Sequence, residues 1–332
     1  MTLEEIIREK IKNNGPIEVS DFVELALYHP EFGFYNRIPP VIGKKGDFYT
    51  SSDLHPIFGR TLGRFLMSTG SPVVLEVGAG KGWLAHDILL EYKGEYWIVE
   101  KSRVLADIEK NVLKEFPNVK WFKTIDEVPE FDGFFISNEL FDAFPFNLYK
   151  NDNGEWFEIL LNEDFTYELK PVNEKIKKIL ARYEGVKFAV IPVGWETLIK
   201  KLAERHTGEI LVIDYGYERE ELIKKFPFGT IQTYKNHAPG GHFTENAGEQ
   251  DITFFIDFTL LKEIFKDAGY SELSLKTQAE FLIENGVIEI LQEYEKIADE
   301  KERVKARLAV KTLILDFGRS FKTLRGKKTL SL

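Results

Sequence analysis

Apolar residues recur along this 332-residue chain in two rhythms. Where they return every three or four positions they predict amphipathic helices. Where they cluster in runs of four or five, bounded by glycine, proline or charge, they predict strands. Ile6, Ile7 and Ile11 share one stripe of a helix expected over residues 3–12, and Asn14-Gly15-Pro16 ends it. Ser20 then reads as the N-cap of a helix running to Leu27. A loop rich in glycine and aromatic residues follows over 28–52, and another amphipathic helix is expected from about 56 to 67.

From Val73 onward strand and helix alternate. Runs at 73–77, 96–99, 119–122, 133–137 and 209–214 read as strands, with helices at 83–90 and 102–116. Strands separated by single helices at this pitch form βαβ units, which build a parallel sheet with helices on both faces. The fold class expected is α/β, a doubly wound Rossmann-like sheet. Residues 147–206 interrupt it as an insertion, whose alternating segments near 156–161 and 167–169 suggest a small antiparallel piece. Residues 228–250 are polar, glycine-rich and too long for an ordinary connection, so they read as a binding loop or lid. Beyond it the pattern predicts a helix at 258–268, a strand at 273–275 and one long charged helix over 288–315. A last strand at 321–324 would close the sheet edge. The domain organisation expected is a helical segment over 1–70, a core formed by 71–146 and 207–332, and the insertion at 147–206.

Composition narrows the chemistry. A hydrophobic fraction of 43% and a charged fraction of 30% belong to a globular chain, and no apolar run approaches a bilayer span. The acidic first residues resemble neither a signal peptide nor an arginine-rich transit peptide, so a cytoplasmic protein is expected. Cysteine is absent, which removes disulfides, thiolate metal sites and cysteine nucleophiles. The six histidines lack metal-ligand spacing, and no metal is expected. A formal charge of −10 argues against nucleic acid as a partner. No membrane partner is expected either.

The main chemical signal is Leu75-Glu76-Val77-Gly78-Ala79-Gly80-Lys81-Gly82-Trp83. A strand entering a glycine turn and then a helix brings backbone N–H groups to the carboxyl edge of the sheet, where a ligand can approach closely. Glu100 ends the next strand, placed to accept both hydroxyls of a ribose. A dinucleotide site wants a third glycine where this chain has Trp83. Gly78, Gly80 and Gly82 preceded by Glu76 instead form the arrangement usual for S-adenosyl-L-methionine, which has no pyrophosphate to accommodate. An NAD-dependent oxidoreductase is the disfavoured alternative, and a non-catalytic assembly protein on the same fold is another.

The second constellation is Ser137-Asn138-Glu139-Leu140-Phe141-Asp142-Ala143-Phe144-Pro145. The carboxyl end of the fourth strand faces the reactive centre in such sheets, so Glu139 and Asp142, three residues apart, are the expected catalytic residues. Carboxylates there suit a guanidinium, which stays protonated and presents a planar fork that a carboxylate grips bidentately. Gln250-Asp251-Ile252-Thr253, with Asp257 beyond, reads as a polar turn with capping residues. His237 and His242 suit a surface loop as well as catalysis, and Phe32, Phe34 and Tyr35 suit ordinary packing.

Taken together, these segments resemble the MidA-like family of S-adenosylmethionine methyltransferases. The resemblance rests on Tyr28-His29-Pro30-Glu31-Phe32-Gly33-Phe34-Tyr35, Gly46-Asp47-Phe48-Tyr49-Thr50-Ser51, the glycine turn and Asn138 to Pro145. It continues through Ile213-Asp214-Tyr215-Gly216-Tyr217, Gly229-Thr230-Ile231-Gln232-Thr233-Tyr234 and Asp251-Ile252-Thr253. What the resemblance implies is an arginine N-methyltransferase acting on a protein substrate, such as a respiratory-complex subunit. Carried over, Gly78, Gly80 and Glu100 would bind the cofactor, Asp47, Thr50 and Ser51 would close over it, and Asn138, Glu139 and Asp142 would face the transferred methyl. Ser52-Asp53-Leu54-His55 departs from the family's Pro-Glu-Ile-Ser, Ala79 stands where proline is frequent, and 238–248 is shorter than in relatives. A homodimer is compatible with the family.

Overall fold

The computed structural model describes residues 1–37, 54–235 and 238–329. Helix α1 (Leu3–Asn14) opens with a capping box in which Thr2 and Glu5 satisfy each other's backbone N–H groups. Strand β1 (Ile17–Glu18) leads into α2 (Val19–Tyr28). Ser20 is not its cap: the helix starts one residue earlier, and the Ser20 backbone N–H donates to Asn147 Oδ1 at 3.2 Å. After α3 (Ile57–Thr69) come β2 (Val73–Val77), α4 (Trp83–Leu89), β3 (Glu95–Val99), α5 (Arg103–Val112), β4 (Val119–Phe122) and β5 (Phe131–Asn138).

The insertion follows as β6 (Phe146–Asp152), β7 (Glu155–Leu161), β8 (Tyr167–Pro171), α6 (Glu174–Leu180), β9 (Phe188–Pro192) and α7 (Trp195–Arg205). Next are β10 (His206–Tyr217), α8 (Arg219–Lys225), β11 (Ile231–Lys235), β12 (Ala238–Pro239), β13 (Asp251–Phe254) and β14 (Ile256–Asp257). The chain finishes with α9 (Phe258–Asp267), β15 (Ser271–Thr277), α10 (Gln278–Glu284), α11 (Val287–Ile297), α12 (Glu300–Lys311) and β16 (Phe321–Lys328). Two expectations fail here. The long terminal helix is two, because the Asp299 side chain accepts from the Glu302 N–H and caps a new start. The last strand is internal, since β16 slips antiparallel between β10 and β15.

The main sheet runs β15-β16-β10-β5-β2-β3-β4, with β14 attached to β10. Strands β10, β5, β2, β3 and β4 are mutually parallel, as the alternation predicts. The antiparallel β15/β16 pair replaces the sixth parallel strand of a dinucleotide-binding sheet. Alternate side chains feed two cores. Leu75, Phe135 and Ile210 belong to one core, which extends to α1 and α2, while Val74, Phe134 and Leu211 belong to the other, with residues of α3 and α11. Burial on both faces is why these strands read as continuous apolar runs. Truncating a fully buried ring such as Phe135 to alanine would cost roughly 3–5 kcal/mol.

The insertion pairs with the N-terminal segment: β1 lies antiparallel to β7 in a second sheet ordered β1-β7-β6-β9, with β8 on β7. The stretch expected as a lid is partly a sheet as well, β11 pairing antiparallel with β13 and β12. Both additions stand at the carboxyl edge of the main sheet, where they wall a cleft.

Candidate active site

The carboxyl ends of β2, β3 and β5 open into a cleft of about 540 Å³, walled also by α2 and by Val193, Gly194 and Leu198 of the insertion. One wall is the glycine turn. Gly78, Gly80 and Gly82 all have positive φ, 74°, 60° and 77°, a region costly for other residues. Gly78 sits against the opposite wall, since a Cβ there would come 3.0 Å from Leu140 Cδ1. A Cβ on Gly80 meets no protein atom within 4 Å and would project into open space. Trp83 lines the mouth, nearly half exposed, where a dinucleotide site would have a glycine.

Two buried carboxyls stand beside this turn. Glu76, at the end of β2, accepts from the Tyr96 hydroxyl at 2.9 Å, and burial pushes its carboxyl up to about 7 despite that bond. Glu100 follows β3 and accepts from the Ser102 backbone N–H at 2.6 Å. Burial lifts Glu100 to about 7 as well, although Ser102, Glu109 and Lys101 all act to lower it. Desolvation outweighs those contacts because a charged carboxylate loses more hydration than two or three hydrogen bonds return.

The opposite wall is the turn that follows β5. Glu139 has a φ of 51°, a left-handed conformation that costs a non-glycine residue roughly 1–2 kcal/mol. Its backbone N–H donates to Ile213 O at 2.9 Å, and the Asn138 amide donates to its carboxylate at 3.1 Å. Asp214, fully buried in the last third of β10, accepts the backbone N–H groups of Phe141, Asp142 and Tyr215 at 3.0, 3.4 and 2.9 Å. The Trp195 indole holds the same turn from the insertion by donating to Phe141 O at 3.0 Å. Strain at Glu139 is thus sustained by neighbours on three separate segments.

Asp142 projects from this turn into the cleft, 2% exposed. Burial raises its carboxyl to about 7, and the charge of Asp251 adds to the effect. Asn138 Oδ1 is buried without a hydrogen-bond partner, and the buried Tyr215 hydroxyl faces the Asp142 carboxyl and acts to lower it. Tyr35 donates to Asp251 Oδ1 and Tyr28 to Ala143 O, both at 2.9 Å, closing the cleft from the N-terminal segment. At the rim Lys101 pairs with Glu24 at 2.5 Å and lies over the Tyr28 ring.

The structure therefore brings Glu76, Gly78, Gly80, Glu100, Asn138, Glu139 and Asp142 to one cleft, while Gly82 turns away from it and packs against Glu109. Asp47, Thr50 and Ser51 lie outside the described residues, as does His237. His242 is tied by its ring to Tyr167 and Thr244 and does not line the cleft. Asp251 departs from the turn expected for it: it is buried on β13 and lines the cleft, whereas Asp257 does cap a helix. Tyr35 likewise faces the cleft, not only the core. Sequence reasoning missed Asp214, Asp251 and Trp195. Asp214 had a signal, a charged residue ending an otherwise apolar strand beside Tyr215-Gly216. Among the described residues, no group of three or more histidine and acidic side chains could hold a metal ion. No helix among them is long and apolar enough to cross a membrane.

Similarity to known proteins agrees with this geometry. The sequence profile of a family described as "Putative S-adenosyl-L-methionine-dependent methyltransferase" matches residues 57–277. The chain is 27% identical to the mitochondrial protein arginine methyltransferase NDUFAF7 homolog of Caenorhabditis elegans, over 96% of this chain and 85% of the relative. It is 29% identical to the mitochondrial protein arginine methyltransferase NDUFAF7 of Xenopus tropicalis, over 84% and 74%. A crystal structure from Burkholderia thailandensis, solved bound to S-adenosyl-homocysteine, superposes with a TM-score of 0.87 at 25% identity, covering 98% of this chain and 92% of that one. With an antiparallel strand inserted at the sheet's edge, Trp83 in place of the third glycine and a profile spanning the core, the hydride-transfer alternative falls away. The chain belongs to this family of S-adenosyl-L-methionine-dependent methyltransferases.

Proposed function

We propose that this protein transfers a methyl group to an arginine side chain of a protein, with the cofactor along the glycine-turn wall and the guanidinium against the Asn138–Asp142 wall. The observation that carries the reading is the pair of carboxyls, half-buried Glu139 and buried Asp142, on a turn braced from three directions and opening into the same cleft as Glu100. In this reading the insertion 147–206 frames the substrate side of the cleft through Val193, Gly194 and Leu198, beside the core formed by 71–146 and 207–332, with 228–250 as the lid.

The cleft suits the cofactor. Gly80 leaves its approach open, Glu100 offers an acceptor of the kind a ribose diol needs, and Asn138 Oδ1 is a buried acceptor with no protein donor. Gly78, Gly80, Glu76 and Glu100 would hold the cofactor, with Gly82 shaping the turn and Asp47, Thr50 and Ser51 contributing from beyond the described residues. When bound, S-adenosyl-L-methionine supplies a methyl group on a sulfonium, activated for displacement.

The protein's own residues supply position and charge. Glu139 and Asp142 grip the guanidinium so that one nitrogen faces the methyl group. Their negative charge offsets the arginine's, and Asp142, whose carboxyl is lifted to about 7, accepts the proton that the nitrogen sheds as its new bond forms. Tyr28 and Tyr35 narrow the cleft against water. The relatives are named mitochondrial; a respiratory-complex subunit fits as substrate where such a complex is present, and a cytoplasmic location draws no support from those names.

The test is Glu139→Gln, measured by labelled methyl transfer into lysate protein and by calorimetry with S-adenosyl-homocysteine. Transfer should fall by about 10²-fold while cofactor affinity holds within about threefold. Retained turnover would make Glu139 a structural residue of the turn and remove it from the mechanism.

A further inference from the structure

A third carboxyl lies behind the cofactor wall. Glu109 of α5 is fully buried yet does not reach the cleft. Its helix presses on the glycine turn so closely that a Cβ on Gly82 would stand 3.3 Å from Glu109 Cα. Trp121 donates its indole N–H to Glu109 Oε2 at 3.0 Å. The other oxygen, Oε1, has no N–H or hydroxyl donor. The Glu100 carboxyl is its neighbour instead, and two carboxyls side by side share a hydrogen bond when one of them keeps its proton.

The surroundings decide which one. Glu100 accepts backbone N–H groups from Ser102 and Lys101 and feels the Lys101 charge. Glu109 has one indole donor and is faced by Glu100 and Glu76, with the buried Tyr96 phenol nearby. Burial and those two carboxylates push Glu109 up to about 9, so the proton stays there.

We propose that Glu109 is a positioning residue for the cofactor site, donating its carboxyl proton to Glu100 and so fixing how that carboxylate meets the ribose hydroxyls. The inference rests on the reading of Glu100 given above. Without the proton, two carboxylates would repel in a buried space and Glu100 would swing from its acceptor geometry.

Three variants test it by calorimetry with S-adenosyl-homocysteine. Glu109→Leu removes the donor and should weaken binding about tenfold, the range of one hydrogen bond to a charged group. In a Glu100→Gln background the same change should add less than about twofold, because the two act as one unit. A full tenfold loss in that background would overturn the proposal and leave Glu109 a packing residue. Glu109→Gln keeps a donor that never ionises. Its affinity should match the unmodified protein at pH 7, and the ratio of the two should diverge above about pH 9, where only the natural pair loses its proton. A constant ratio would contradict the proposal, and this comparison stands even if Glu109→Leu fails to fold. If Glu100→Gln alone leaves affinity unchanged, the fault lies in the ribose assignment.

Discussion

The two walls of the cleft are built differently. The cofactor wall comes from a single stretch, 73–109, in which strand, turn, helix, strand and helix succeed one another, and its polar groups are positioned by neighbours within that stretch or close to it. The opposite wall gathers Tyr28 and Tyr35, the 138–145 turn, Trp195, Asp214 and Asp251, which lie scattered over more than two hundred residues. The first is a self-contained receptacle. The second depends on the insertion and the N-terminal segment to hold a strained turn in place. Binding and transfer should therefore be separable by mutation.

The largest effect is expected on the cofactor wall. Gly80→Val places a branched side chain in open space at a φ of 60°, and should weaken S-adenosyl-homocysteine binding more than about 10²-fold, with a backbone cost of roughly 1–2 kcal/mol. Calorimetry beside a thermal melt checks both, and unchanged affinity would break the wall's assignment.

Next is Asp214→Asn. One amide oxygen would replace the pair of oxygens that accepts three backbone N–H groups, and the amide's own N–H₂ would face a donor. Methyl transfer should fall about 30–100-fold, the cost of leaving one or two buried backbone N–H groups without an acceptor. Cofactor affinity should shift less than threefold. Parallel losses in both would mean that the walls are not independent.

A pH series gives a smaller and more telling contrast. Glu76, Glu100 and Asp142 each bind a proton more tightly in the folded protein, at about 7, than in the unfolded chain. The stability they add is complete below the ordinary carboxyl range and is lost as the pH rises through about 7. The cofactor-free protein should melt roughly 5 °C lower at pH 8 than at pH 5.5. Methyl transfer should rise over the same interval, as Asp142 ionises to receive the guanidinium. Stability and activity that climb together would refute the assignment of Asp142. The smallest change expected is Tyr96→Phe, which strips Glu76 of its hydroxyl donor and should weaken the cofactor a few-fold without a direct effect on the transfer step.

The same division explains what the sequence disclosed. Strands β2, β3, β5 and β10 were legible because they are buried on both faces for most of their length and so read as apolar runs. The glycine turn and Glu100 were legible because their geometry is local: 22 residues of strand, turn and helix place one beside the other. Asp251 was not, because alternation over four residues did not distinguish a buried strand from a polar turn, and the Tyr35 partner that settles it lies 216 positions away. Asp214 and Trp195 brace a turn through backbone atoms, a role that leaves no spacing rule behind. The split of the terminal helix at Asp299 was written in the sequence as a capping residue but masked by continuous charge on either side.

The most direct measurement is a crystal structure of this protein with S-adenosyl-homocysteine. The account predicts the adenosine moiety over Gly78 and Gly80, its ribose hydroxyls on Glu100 and its sulfur turned toward Asn138 and Asp142. An adenosine bound elsewhere, or a ribose that makes no contact with Glu100, would contradict it.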